Sequence, residues 1–154
     1  MYRLAIIFAT FFGSGFLKPA PGSWGSLAAF LFASLFLWYE IPFFIFYLLT
    51  IFVALIGLWS SSIVEKKIKQ KDPSEIVIDE ASGLYLALSL LIYVGCSELL
   101  WWIICLILFR IFDILKPPPI HMLQNLPSGL GIMADDWLAG LFAGCISILL
   151  WLNF

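Results

Sequence analysis

The chain has 154 residues, of which 63% are hydrophobic and only 12% are charged, and its mean hydropathy is +1.06. Soluble domains carry about 25% charged residues, so this composition excludes an ordinary soluble protein and indicates an integral membrane protein. The formal net charge of −2 gives no indication of a nucleic-acid partner. At this length we predict one membrane-embedded domain, residues 1–154, with an all-α fold.

The predicted elements begin with a short N-terminal helix. Arg3 and the apolar residues after it only faintly resemble a signal peptide, because no small-x-small cleavage site follows. We therefore predict a retained helix that lies at the membrane interface or inserts halfway.

Five apolar runs follow and predict about five membrane helices. They are Trp24 to Trp38, Pro42 to Val64, Ala81 to Val94, Leu99 to Leu115 and Trp137 to Leu152. Only the second run reaches the ~20 residues that cross a bilayer unaided. The other four must extend into adjoining polar segments or pack as short helices in a locally thinned membrane.

Charge sets the direction of these helices. The connections Tyr39 to Ile41 and Gly95 to Glu98 carry acids but no Lys or Arg, whereas lysines collect at the opposite helix ends. By the positive-inside rule the lysine-bearing ends are cytoplasmic. Following the chain across the membrane then places four polar segments at the cytoplasmic face: Gly13 to Ser26, Val77 to Glu80, Phe109 to Ile120 and Gly129 to Gly140.

The first polar segment is rich in glycine and proline and contains Lys18 and Ser23. Glycine-rich backbone at a helix N-terminus, next to a lysine, suits a phosphate ligand. No Gly-Lys-Ser/Thr or dinucleotide-binding fingerprint occurs here. Taken alone, the segment is equally compatible with a loop that caps the following helix.

The second and fourth polar segments each contain two adjacent acids, Asp79 with Glu80 and Asp135 with Asp136. Such pairs suit Mg²⁺, which usually takes one or two carboxylates together with water and phosphate oxygens. Helix capping is an alternative for the acids of the second segment. For the fourth, we place both aspartates at the start of a membrane helix.

The third polar segment spaces Arg110, Asp113 and Lys116 three residues apart, which puts neighbours of the series on adjoining helical turns. One interpretation is that Arg110 and Asp113 neutralise each other at membrane depth. The other is that Arg110 and Lys116 together bind an anion. We interpret His121 as a surface residue and the three cysteines as small hydrophobic residues.

The combination of residues across the four segments is distinctive. Its members are Pro21, Gly22, Trp24, Gly25, Asp79, Glu80, Phe109, Arg110, Phe112, Asp113, Lys116, Pro117, Pro119, Ile120, Gly131, Ile132, Met133, Asp135, Asp136, Ala139 and Gly140. This set resembles the phosphatidylglycerophosphatase A family. The departures are mild, since Ser23 and Ser26 stand where threonine is common and Ser128 replaces a frequent glycine.

The resemblance implies a magnesium-dependent enzyme of the bacterial cytoplasmic membrane, with its active site facing the cytoplasm. Its substrate would be phosphatidylglycerophosphate, and its products phosphatidylglycerol and phosphate. The proposed metal ligands are Asp79, Glu80, Asp135 and Asp136. The proposed phosphate-binding residues are Lys18, Ser23, Arg110 and Lys116, with Asp113 orienting Arg110 or joining the metal ligands.

Two alternative functions would use the same charged residues. A small ion or anion transporter could employ the charged cluster as a gate, although transporter sites usually lie near the membrane midplane and between internal repeats. A lipid-headgroup transferase is disfavoured because the spaced aspartates of the CDP-alcohol transferases are absent.

Overall fold

The computed structural model describes residues 1–154 and contains helices but no strand, which confirms the all-α class. A 3-10 turn, Ser14–Phe16, precedes the second helix. The α-helices are α1 (Tyr2–Ala9), α2 (Pro21–Trp38), α3 (Phe43–Ile68), α4 (Ile78–Tyr93), α5 (Leu99–Leu115), α6 (Ile120–Leu123) and α7 (Gly129–Asn153).

Each predicted apolar run lies in its own helix, and several helices extend into the polar segments as expected. α2 begins at Pro21, where the fixed φ of proline favours the first helical position. α3 continues beyond the apolar run because Lys66 and Lys67 in its last turn complement the negative end of the helix dipole. It ends at Ile68, and the capping residue Lys69 has a left-handed φ of 59°.

Three helices, α2, α3 and α7, are long and apolar enough to cross a membrane. α4 and α5 have 16 and 17 residues. At 1.5 Å per residue these helices are about 24 and 26 Å long, less than the ~30 Å hydrocarbon core. The predicted number of five membrane helices is therefore not confirmed, because length and composition support only three.

α4 is the central helix of the bundle and packs against α2, α3, α5 and α7. Leu84, Tyr85 and Leu88 are fully buried on it. α3, in contrast, exposes large apolar side chains such as Leu48 and Leu55. The acids at the start of α4 are therefore surrounded by protein rather than by lipid.

α4 and α7 pack closely against each other at two glycines. A Cβ atom on Gly140 would overlap the carbonyl oxygen of Gly83, and a Cβ on Gly83 would overlap the carbonyl oxygen of Asp136. Beside this contact, Trp137 Nε1 donates a hydrogen bond of 2.8 Å to Ser82 Oγ. Small residues thus let the two backbones approach each other where the acidic side chains lie.

Candidate functional site

Three carboxylates meet between α4 and α7. One oxygen from each of Asp79, Glu80 and Asp136 lies within 4.8 Å of the other two. Asp79 and Asp136 precede Gly83 and Gly140 by four residues, about one helical turn. The glycine contact therefore brings the two aspartates together on facing helices.

These carboxylates fit a hard divalent cation. Asp79 and Asp136 are 7% and 2% exposed, so water compensates little of their charge. Asp79 Oδ1, Glu80 Oε2 and Asp136 Oδ2 are buried without any hydrogen-bond partner. Buried oxygens of this kind are costly unless a cation or a proton neutralises them, and carboxylate oxygens are the ligands that Mg²⁺ prefers.

Asp135 lies outside this group of three. Its Oδ2 is 2.5 Å from Lys116 Nζ and accepts a second hydrogen bond of 3.0 Å from Gln124 Nε2. Its Oδ1 is buried and unpaired. The structure therefore places the two adjacent aspartates next to different partners, one beside acids and the other beside a cation.

The aspartates also lie deeper in α7 than the sequence predicted. The helix begins at Gly129 and has no acid in its first turn, so the placement of both residues at the helix start was wrong. Gly129 packs closely against α3, where its backbone N–H donates to Ser62 Oγ at 3.2 Å. This anchor starts the helix early and carries the aspartates about two turns into the bundle.

Arg110 connects three helices around the site. Its Nη1 donates to Asp113 Oδ2 at 2.5 Å and to Ser26 Oγ at 3.2 Å. The same nitrogen lies 3.9 Å from Glu80 Oε1, while Nη2 makes a long contact of 3.4 Å with Ser23 Oγ. The guanidinium thus bridges α5 to both α2 and α4.

The first polar segment reaches the site through Gly22 as well as through these serines. A Cβ atom on Gly22 would overlap Glu80 Oε1 and lie 3.4 Å from Arg110 Nη1. Lys18, in contrast, is exposed and forms no ion pair. His121 is also exposed. Of the predicted phosphate-binding residues, Ser23, Arg110 and Lys116 lie together, and Lys18 lies apart from their ion pairs.

Lys116 follows the end of α5 and lies between two acids. Its Nζ is 3.8 Å from Asp113 Oδ1, in addition to the short contact with Asp135. Burial disfavours the charged ammonium, but the hydrogen bond to Asp135 and the nearby carboxylates raise the pKa of Lys116 above the usual lysine range. The side chain therefore stays positively charged at neutral pH.

Sequence reasoning missed the residues that support the site. Gln124 holds Asp135, and Ser26 holds Arg110. Of the two contacting glycines, Gly140 was already among the residues of the resemblance, whereas Gly83 was missed although it follows Asp79 at helical spacing. No comparable spacing marks Gln124, which reaches Asp135 only through the turn around α6.

Comparisons with known proteins find related sequences over most of the chain. A family model described as phosphatidylglycerophosphatase A matches residues 7–151. A Haemophilus influenzae protein named phosphatidylglycerophosphatase A is 37% identical over 140 residues, covering 89% of this chain and 82% of that protein. The Escherichia coli protein of the same name is 34% identical over 144 residues, covering 91% and 79%.

A third relative has a different name. A Bacteroides thetaiotaomicron protein, provisionally named phosphatidylinositol-3-phosphatase, is 34% identical over 145 residues, covering 91% of this chain and 89% of that protein. No solved structure shows significant similarity to this fold. All three relatives are named for the removal of phosphate from a lipid.

Proposed function

The chain belongs to the phosphatidylglycerophosphatase A family, and we propose that it hydrolyses phosphatidylglycerophosphate to phosphatidylglycerol and phosphate. The observation that carries this proposal is the group of three carboxylates, each with a buried unpaired oxygen, with Arg110 and Lys116 beside it. Acids that hold a metal and cations that hold a phosphate are the two parts that a phosphomonoesterase of this type needs.

Asp79, Glu80 and Asp136 would hold Mg²⁺, since each has a buried oxygen free to bind it. Asp135 has one such oxygen too and would join them when a second ion is present. Bound Mg²⁺ would supply Lewis-acid polarisation of the phosphoryl group and lower the pKa of water.

The cations of the site would bind the phosphate. Arg110 offers a planar set of donors that matches phosphate oxygens, and Lys116 adds a compact charge. Ser23 and Asp113 would keep Arg110 in position. Lys18 would contribute from the exposed loop before α2.

The reaction replaces one phosphorus–oxygen bond with another. Water forms the new bond to phosphorus, and the bond to the terminal glycerol oxygen of the lipid breaks. That oxygen takes up a proton, so the lipid leaves as an alcohol. Arg110 and Lys116 would stabilise the negative charge that spreads over the phosphoryl oxygens.

We further propose that the chain is one domain of the bacterial cytoplasmic membrane with its site facing the cytoplasm. α4 and α5 would complete a set of five membrane helices, because α4 is shielded by its neighbours and lipid can thin around α5. Lysines at the site-bearing helix ends and acids at the opposite connections support this orientation. α1 would lie at the interface or insert halfway.

The test is phosphate release by the purified protein in detergent micelles. Three lipids are compared: phosphatidylglycerophosphate, phosphatidylinositol 3-phosphate and phosphatidic acid. We expect the first to be preferred, activity to disappear with EDTA, and Mg²⁺ to restore it. Asp79→Asn should remove activity, whereas Glu98→Gln, an exposed acid at the opposite end of the bundle, should not.

Two outcomes would contradict the proposal. Undiminished hydrolysis after removal of divalent metal would exclude the role of Mg²⁺. Preference for the inositol lipid would instead assign this chain the activity named for the Bacteroides relative.

A further inference from the structure

An open groove lies between α2 and α5, beside the site. We infer that a phosphate-bearing lipid enters the site sideways through this groove, with an acyl chain against its apolar walls. This inference rests on the proposed function, since it describes how the lipid reaches the same cations and carboxylates.

The groove has a volume of about 540 Å³ and apolar walls. Leu27 of α2 forms one side, and Ile107, Ile111 and Ile114 of α5 form much of the other. These three isoleucines are 53%, 43% and 68% exposed, so the groove is open along its outer side. Aliphatic side chains exposed on a membrane helix face lipid chains.

The polar part of the groove is Arg110 with Ser23 and Ser26. Apolar residues lie on both sides of Arg110 along α5, from Leu106 to Leu115, a distance of about 14 Å. Arg110 therefore lines the groove between apolar residues and not only at its aqueous end. An anion can reach it from the lipid side between the two helices.

Arg110 also keeps hydrogen-bonding capacity for a ligand. Its Nε is buried without a partner, and its Nη2 has only the 3.4 Å contact with Ser23. An anionic ligand with an apolar tail would accept a hydrogen bond from Nη2 and cover the isoleucines at the same time. A lipid phosphate has both features.

A second apolar cavity shows that volume alone does not define this route. It measures about 610 Å³ and lies among α1, α2 and α3, lined by residues such as Phe32, Phe52 and Ile56. No charged side chain lines it. The α2–α5 groove differs because it combines apolar walls with a cation that also contacts the carboxylates of the site.

The first test narrows the groove. Ile107→Trp should raise the KM for long-chain phosphatidylglycerophosphate about tenfold with a smaller change in kcat, because the added ring occupies the entry path. Leu55→Trp on α3 is the matched control, since this residue is 63% exposed to lipid but lies outside the groove. It should change KM less than about twofold. Equal effects of the two substitutions would overturn the inference.

The second test uses the unmodified protein, so it does not depend on how a variant folds. Phosphatidylglycerophosphate carrying a photoreactive diazirine in one acyl chain is crosslinked, and the labelled peptides are mapped by mass spectrometry. We expect the groove residues of α2 and α5 to be labelled, and we expect an excess of unlabelled lipid to suppress this labelling. Exposed α3 residues that are labelled through non-specific contact with the surrounding lipid should stay labelled in the presence of the same competitor.

The inference of entry through the groove would be overturned if the labelling that unlabelled lipid suppresses were confined to α3, or to the cavity among α1, α2 and α3. If the protein hydrolyses the lipid while such a pattern is found, only the route is wrong. If the protein does not hydrolyse the lipid at all, the proposed function itself fails.

Discussion

Asp135 and Asp136 are consecutive residues of α7, yet they contact different parts of the site. Asp136 joins Asp79 and Glu80, whereas Asp135 receives a hydrogen bond from Lys116 at 2.5 Å. Neighbours in a helix point about 100° apart, which is why the two side chains have different contacts in this structure. The two acids should therefore differ in what their removal changes.

Replacing Asp136 by asparagine should mainly affect the response to magnesium. The shape is nearly unchanged, but a buried charge available to the metal is lost, so we expect the Mg²⁺ concentration for half-maximal turnover to rise at least about tenfold. Asp135→Asn should also lower turnover, but with a smaller shift in magnesium dependence, because it mainly releases Lys116. Magnesium titrations of phosphate release measure both. Identical shifts in the two variants would show that the acids act as one metal group.

Lys116 should matter through its charge. Lys116→Met keeps an unbranched apolar stem but removes the ammonium, and we expect KM for the lipid to rise about tenfold from the loss of one charge-assisted hydrogen bond to phosphate. His121→Ala is the control, since His121 is exposed and lies only five residues away. Steady-state kinetics on both variants test this. Unchanged KM and kcat in the Lys116 variant would remove it from the phosphate site.

Gly22→Ala should reduce activity without reducing stability. Alanine favours the helix over glycine by about 1 kcal/mol, but its Cβ would displace Glu80 Oε1 and crowd Arg110 Nη1. We expect phosphate release to fall while the melting temperature in detergent stays equal or rises. A fully active variant would show that Glu80 can move without consequence for the site.

Gly140→Ala should separate α4 from α7. Its Cβ would overlap the backbone oxygen of Gly83, which cannot rotate away, so we expect the free energy of unfolding to fall by about 1–3 kcal/mol. Gly144→Ala is a milder control, because its Cβ would come within 2.8 Å of the flexible end of Leu90 and no nearer than 3.1 Å to backbone, the carbonyl oxygen of Ala87. Thermal unfolding of both variants in detergent measures the loss of stability. Equal stability of the variants would mean that the glycine contact does not set the helix spacing.

The sequence by itself determined the helices and the end of the bundle at which their polar residues meet. Long apolar runs predict membrane helices because the bilayer demands satisfied backbone and apolar side chains. The short connections then return Asp79, Arg110 and Asp136 to one end of the bundle. The structure shows these residues together.

Only the tertiary structure decided which side chains face each other at that level. The separation of Asp135 from Asp136 depends on the start of α7 at Gly129 and on the approach of Gly140 to Gly83. Apolar composition determines that a segment is helical, but it leaves the rotation of that helix against its neighbours open. The rotation is set by backbone contacts between residues distant in sequence, because in a close-packed interior a single Cβ atom prevents or permits a given approach.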